Sequence, residues 1–500
     1  MKKYVLGLVV VAAAAAAAYT GAAWYCGGEI GAALAQQQAI AARELSLKVV
    51  SEKYSRGVFS SEEITTVELL GQSARAYAEV AARAGLPPEL PQLELHLHLR
   101  HGPLPRWVDG KLKFLLAGAS TRVRLVGAHA DILPEWFGEN APALMESEFF
   151  DERVSHNRLA LPGFTRTLQD GTQLAFRPVS GQLDADALFS NVNFDLAFDG
   201  LSASNKNQRA TLDKARFAGN FEHAPNELWT GNFLLTIAQM GVLGPAGELR
   251  MDGLSYRGRA RMEGDWLEQD IELTVGKLAA GPKIAAGPVT FATRFGHLHV
   301  PTLVALTRAQ KALNERALDP AQHQAELLRL FGDAMGKLVR QDPRLSIEEL
   351  GFTLPEGKFG FHAVLKFADL PEALPEHLPE WLPYFDLTAD WSLSQGVLHS
   401  LLAKVPALRM HMLETARAAA EERAAAEARA SNSAPVRVPD VDEADERAEV
   451  DAAVAMGWIW RDGESLRGQA KMRRGEFEVN NRPIPVPFLK PLPPATASAQ

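Results

Sequence analysis

The stretch GELRMDGLSYRGRARMEGDWLEQDIELTVGKL, Gly247 to Leu278, decides the fold. Arg257, Arg259, Arg261 and Glu263 share one side of an extended chain, while Tyr256, Gly258, Ala260 and Met262 share the other. Successive side chains of a strand point to opposite faces, so this period of two predicts half-buried antiparallel strands. Working outward, the pattern recurs in KLKFLLAG (111–118), TRVRLVG (121–127), NVNFDLAFDGL (191–201), TLDKARFAGNF (211–221) and PVTFATRFGHLHV (288–300). Gly, Pro, Asn and Asp break the runs between Leu93 and Val300, which predicts a meander of about a dozen strands. Such a sheet has one wet face and one greasy face. The greasy face needs a cover: another sheet, the helices that follow, a partner or a lipid.

Helical spacing begins at Thr302, with Leu303, Leu306, Ala309, Ala312 and Leu313 recurring on one side. After Asp319-Pro320 a second run places Leu327, Leu328, Phe331, Met335 and Leu338 on one face, read as a core-facing stripe. RLSIEELGFTLPEGKFGFHAVLKFADL (344–370) returns to strands around Pro355-Glu356-Gly357, and PEALPEHLPEWLPYFD (371–386) is too rich in proline for a regular element and reads as a loop. The expected fold class is α+β, dominated by a long, mostly antiparallel sheet with packed helices and an N-terminal transmembrane helix. The expected organisation is an anchor or signal segment over 1–28 and a helical or irregular lead-in over 29–90. A large β-rich domain follows over 91–430, with inserted helices at 301–341 and a solvated helix at 408–430. An acidic flexible linker over 431–451 leads to a C-terminal helix and hairpin over 452–492 and a disordered tail over 493–500.

Composition narrows the function. The 500 residues, 47% of them hydrophobic, suffice for one large core or several ordinary ones. The net charge of −9 spreads 52 basic residues among 61 acids, which argues against nucleic acid as a partner. One cysteine, Cys26, excludes an intramolecular disulfide. Lys2 and Lys3 precede 22 residues, Tyr4 to Tyr25, that include no Asp, Glu, Lys, Arg or His. A helix of that length reaches about 33 Å, enough for a hydrocarbon core of about 30 Å. The lysines would hold its start in the cytoplasm, and Tyr19, Trp24 and Tyr25 fall where an outer aromatic belt sits. The competing reading is a signal peptide cleaved within Ala18 to Ala23; either exports the rest of the chain.

Chemical motifs are sparse. The chain has no phosphate-binding G-x-x-x-x-G-K-[ST], G-x-S-x-G elbow, H-E-x-x-H helix, EF-hand loop or paired C-x-x-C, and no cofactor is implied. Asp195 and Asp199 lie on one strand face but too far apart to share a proton. Histidines stand out in LELHLHLRHGP (93–103): His96 and His98 share one face, and His101 points the other way before Gly102-Pro103. A second pair, His297 and His299, makes a four-imidazole zinc site physically allowed, as the basis of a metal-dependent hydrolase. The alternative reading of both pairs is polar residues on a solvent face. Gly102-Pro103 is expected to end its strand, with His101 hydrogen-bonding across that end or, with Gly102 and Pro103, binding a ligand.

The N-terminal span ending in Gly-x-x-Trp-Tyr (21–25), RHGPL (100–104), FDLAFDGLS (194–202), LWTGNF (228–233), PRLSIEELGFTLPEG (343–357), MGWIWRDG (456–463) and GEFEVNNRPIP (475–485) occur in an order that resembles the YdgA-like proteins of the Gram-negative cell envelope, over nearly the whole chain. The closing hairpin departs from that pattern, with Asn481 where the family has glycine; asparagine tolerates positive φ, so the turn survives. The resemblance implies a single-pass inner-membrane protein with its bulk in the periplasm, and it carries over no catalytic residue. The expected function is therefore non-catalytic: binding of a lipid or an envelope protein through the sheet surface, with homodimerisation a reasonable addition. The periplasmic metal-dependent hydrolase is the alternative.

Overall fold

The computed structural model describes most of residues 16–32, 47–78, 89–403 and 446–484, with isolated positions between 410 and 425. The expected solvated helix at 408–430 falls mostly outside the described residues, and the tail from 493 lies wholly outside them. The chain divides into two units, Met1–Ala246 with Val304–Phe331 and Gly247–Leu303 with Gly332–Gln500. The boundary inside the strand-rich region differs from the single domain expected over 91–430.

The first unit contains β1 (Leu47–Arg56), β2 (Ser60–Leu69), β3 (Gln92–Val108), β4 (Lys111–Val126), β5 (Ala143–Phe149), β6 (Val154–Leu161), β7 (Phe164–Thr167), β8 (Gln173–Phe176), β9 (Val179–Asp186), β10 (Asn191–Ser204), β11 (Arg209–His223) and β12 (Trp229–Gly244). Every pairing is antiparallel, in the order β1-β2-β3-β4-β5-β6-β9-β10-β11-β12. The β7–β8 hairpin continues the β6–β9 pair, with β8 taking the Leu201–Ser204 end of β10. Pro162 and Pro178 fall at the interruption, where a residue without an N–H cannot extend the ladder. The β1–β2 hairpin corrects the expectation of a helical or irregular lead-in over 29–90. Strand β1 pairs on one side only and is exposed along nearly its whole length, so it lacks a clear alternation.

The second unit contains β13 (Gly247–Glu263), β14 (Trp266–Ala280), β15 (Ile284–Ala286), β16 (Val289–His299), β17 (Arg344–Leu354), β18 (Gly357–Phe367), β19 (Phe385–Ser394), β20 (Trp460–Asp462), β21 (Ser465–Arg473), β22 (Glu476–Val479) and β23 (Arg482–Pro483). Its order is β13-β14-β16-β17-β18-β19-β21-β22-β23, again antiparallel, with β15 on β14 and β20 folded onto β21. Asn480 and Asn481 both take positive φ, 51° and 59°, so the closing turn forms as expected without glycine. The core here joins Val397 and Leu402 of helix Gln395–Ala403, Val450 and Ala453 of helix Glu446–Ala455, and Leu393, Ile459 and Leu466. Helix Glu446–Ala455 begins within the stretch expected to be linker.

Helices Val300–Asn314 and Pro320–Val339 lie where the periodicity placed them, and Asp319 caps the second by accepting from Gln322 N at 2.9 Å. The stripe expected on that second helix is only half correct. Leu338 is buried and Leu327 half-buried, but Leu328, Phe331 and Met335 are exposed; the covered face runs through His323, Leu330 and Ala334. The proline-rich stretch expected as a loop contains a short helix, Leu378–Trp381, and a tight turn, Leu382–Tyr384. Pro379 and Pro383 sit in first turns, where a missing N–H costs nothing. Among the described residues no helix is long and apolar enough to cross a membrane. The N-terminal helix is described over 16–29, and residues 1–15 of the expected transmembrane span lie outside the described residues.

Cross-strand ion pairs hold the wet face. Arg216 meets Asp195 at 2.5 and 2.8 Å, Arg257 meets Glu272, and Asp270 joins Arg261 to Arg294, which reaches Glu348. The Arg216 guanidinium, hydrogen-bonded to Asp195, holds that carboxyl below its ordinary pKa. A depressed folded-state value adds stability above the unfolded pKa and loses it as pH falls through the folded one. Both side chains are solvated, so the effect is small and salt-sensitive. Asp195→Asn should lower the urea midpoint slightly at neutral pH, and the difference from wild type should vanish in acid below the depressed pKa.

Candidate functional site

The alternation of β3 places Leu97, Leu99 and His101 on its buried face and His98 and Arg100 on the exposed one. His101 is 2% exposed. Its Nδ1 lies 3.2 Å from Val58 O, an acceptor, so Nδ1 carries the ring proton and Nε2 accepts. Ser61 Oγ donates to that Nε2 at 2.9 Å, and Tyr54 OH donates to Ser61 Oγ at 3.0 Å. The His101 backbone N–H donates to Phe59 O at 2.8 Å. The order Tyr54, Ser61, His101, Val58 is a hydrogen-bond chain joining β1, β2, their turn and β3.

Gly102 and Pro103 do not end the strand, which corrects the sequence expectation. They form a bulge: His101 pairs with Ala117 and Leu104 with Leu115, leaving two residues of β3 opposite Leu116. The bulge accommodates the proline's missing N–H, and a Cβ on Gly102 would meet Leu104 N and Leu115 O at 2.4 and 2.5 Å.

The other side of the His101 ring is closed by the N-terminal helix. An ideal Cβ on Gly27 would fall 2.4 Å from Nδ1 and Cε1 of His101, and one on Gly31 would fall 2.9 Å from Tyr54 OH. Ala23, Cys26 and Gly27 are buried, so a face of small residues lets this helix approach the sheet closely. A serine donating to an imidazole is the pairing that nucleophilic catalysis uses. Here Ser61 and His101 are both 2% exposed under a helix, and the arrangement acts as a latch. Sequence reading missed Tyr54, Ser61 and Gly27; the signal for the helix face was the four-residue spacing of Ala23, Gly27 and Gly31.

The His-x-His pairs have separate partners. His96 Nε2 bonds Glu94 Oε1 at 2.5 Å, and His98 faces Glu62 at 3.7 Å; both line a shallow depression with Ser120, Arg122 and Arg124. His297 stacks on Trp266 at 4.7 Å between ring centres, and His299 Nδ1 bonds Thr302 Oγ1 at 2.9 Å. The first pair belongs to the first unit and the second pair to the second. Among the described residues no group of three or more His, Cys, Asp or Glu is placed to hold a metal ion.

The opposite feature is apolar. Register puts Phe194, Leu196 and Phe198 of β10 on one face with Phe217 and Phe221 of β11 and Phe233, Leu235 and Ile237 of β12. Phe194 packs on Phe217 and Phe221 at 4.6 and 5.5 Å, Phe217 on Phe233 at 5.9 Å, and Phe176 on Phe198 at 5.1 Å. This face is incompletely covered: Phe217 is 36% and Trp229 39% exposed. At about 4.8 Å per strand, β9 to β12 present a surface about 14 Å wide.

A double-mutant cycle tests the latch. Gly27→Ala should cost about 1–3 kcal/mol by overpacking, and His101→Ala a similar amount by leaving Ser61 and Val58 O without their partner. The pair should be clearly less than additive, because removing the ring makes room for the new Cβ. Urea unfolding of the four proteins measures it; full additivity would mean that the helix does not rest on His101.

No curated protein matches the chain, and no solved structure matches it. Residues 1–487 match the model of a family described as bacterial proteins of unknown function, DUF945. A match over nearly the entire length, with the antiparallel sheet running through it, makes this chain a member of the DUF945 family.

Proposed function

We propose that this chain is a non-catalytic, inner-membrane-anchored periplasmic protein of the YdgA-like type that holds a lipid acyl chain against the apolar face of β9 to β12. The observation that carries the reading is the half-covered row of Phe194, Phe217, Phe221 and Phe233. Water against such a surface is costly, and each methylene buried on it contributes about 0.8 kcal/mol. Contiguous exposed apolar patches mark binding surfaces. Where Phe194 to Phe198, Ala215 to Phe221 and Gly231 to Ile237 meet, the dry face carries no charged side chain, while the opposite face carries the Arg216–Asp195 pair, so a ligand without charge along its length fits the former. The anchor is supported by Lys2 and Lys3 followed by the uncharged run Tyr4 to Tyr25.

Native mass spectrometry of the full-length protein, purified from membranes in mild detergent, tests the reading. A bound mass of several hundred daltons that fragments as a lipid is expected, and Phe217→Asp should reduce its occupancy about tenfold, equivalent to about 1.4 kcal/mol. Protein free of lipid, or lipid retained equally by Phe217→Asp, would overturn it. A co-purifying polypeptide lost in Phe217→Asp would reassign the face to a protein partner.

A further inference from the structure

The β1–β2 hairpin lies along the N-terminal helix in a fixed order. Gly31 lies against the Tyr54 hydroxyl, Gly27 against His101, Trp24 under Arg56, and Tyr19 against Phe59. The Arg56 guanidinium sits 4.5 Å above the Trp24 ring and also donates to the Trp24 carbonyl. Phe59 stacks on Tyr19 at 6.1 Å. Tyr19 precedes Trp24 by five residues, about 7.5 Å of helix. The hairpin tip therefore reaches past the level of Trp24 and Tyr25, toward the uncharged run that precedes them.

The tip is unusual for a water-facing turn. Val58 and Phe59 are 41% and 50% exposed; Phe59 rests on Tyr19, and the same helix carries Trp24 and Tyr25, exposed by 56% and 61%. The turn is held rigidly: Gly57 N–H donates to Ser60 O at 2.8 Å, and the carbonyls of Val58 and Phe59 accept from His101. The hairpin from Lys53 to Ser61 and the helix from residue 16 to Gly28 include two basic residues and no acid; the flanking acids are Glu52, Glu62 and Glu29. Aromatic rings beside a cation, with no carboxylate, match the interface of a bilayer, where rings sit at headgroup level and a guanidinium meets phosphate.

We propose that the β1–β2 tip is a membrane-inserted finger: Val58 and Phe59 enter the leaflet beside the N-terminal helix, and Arg56 stands at the level of the lipid phosphates. The occupant of this surface is a phospholipid bilayer. The inference rests on the anchored reading above and adds a second point of attachment, which fixes the orientation of the first unit's sheet toward the membrane. The latch at His101 then sets how far the finger extends, because it holds Val58 and Phe59 by their carbonyls.

Depth-dependent quenching tests it in full-length protein reconstituted into vesicles of phosphatidylethanolamine and phosphatidylglycerol. An environment-sensitive fluorophore is attached at Val58→Cys, with Lys206→Cys in the β10–β11 turn as the control. Each is made with Cys26 retained, since it is buried, and with Cys26→Ser. Nitroxides near the lipid headgroup should quench the label at position 58 at least twofold more than the label at 206. A label at 58 no better quenched than that at 206, in protein that floats with the vesicles, would overturn the finger and leave the anchor standing. Protein that does not float with vesicles would overturn both. Phe59→Asp gives a separate readout: it should lower the quenching of the label at 58, and unchanged quenching would show that insertion does not drive the contact.

Discussion

Everything in this protein depends on the register of an antiparallel ladder. Because strand side chains alternate, a slip of one residue between β10 and β11 would carry Phe217 to the face of Asp195 and bring Arg216 among the phenylalanines. The ion pairs and ring stacks therefore enforce the same alignment from opposite sides. Arg216 reaches Asp195 on one face only if Phe217 reaches Phe194 on the other. The same logic runs through the second unit, where Arg257 stands directly opposite Glu272 while Tyr256 faces Leu273 on the other side. Each pair is modest by itself, and their repetition makes the register unambiguous.

Against that regular background, the bulge at Gly102-Pro103 is a local exception with a structural use. It lets β3 continue beyond His101 while turning the strand locally, so that one imidazole meets the β1–β2 turn, a buried serine and the N-terminal helix at once. The packing is close because Gly27 offers no side chain. The two nitrogens of this histidine close a hydrogen-bond chain that would otherwise leave buried polar atoms unpaired. The proposed functions rest on surfaces: an aromatic sheet face in the first unit, and the hairpin tip with the aromatic end of the helix.

Much of this was legible in the residues. Period-two alternation is a local property, and it located most strands from β3 onward, the wet and dry faces, and the outward placing of His96 and His98. The closing turn at Asn480-Asn481 was legible for the same reason, since asparagine's tolerance of positive φ belongs to the residue itself. The lead-in hairpin was not, because β1 is exposed at nearly every position, and a strand without a buried face has no reason to alternate. The buried stripe on Pro320–Val339 lies part of a turn from the one the spacing predicts: Leu328, Phe331 and Met335 have the spacing of a buried face, but burial follows the neighbours a helix meets.

The sequence by itself determined an antiparallel β protein with one charged and one apolar face, a histidine turned inward, and an uncharged N-terminal run, because each is written in spacings of a few residues. Only the tertiary structure decided that Ser61 lies within hydrogen-bonding distance of His101, forty positions away, that Gly27 closes over the ring, and that Phe59 rests on Tyr19. Such meetings depend on which strands become neighbours and how a bulge turns one of them. That information lies in contacts between distant segments, which no local period records.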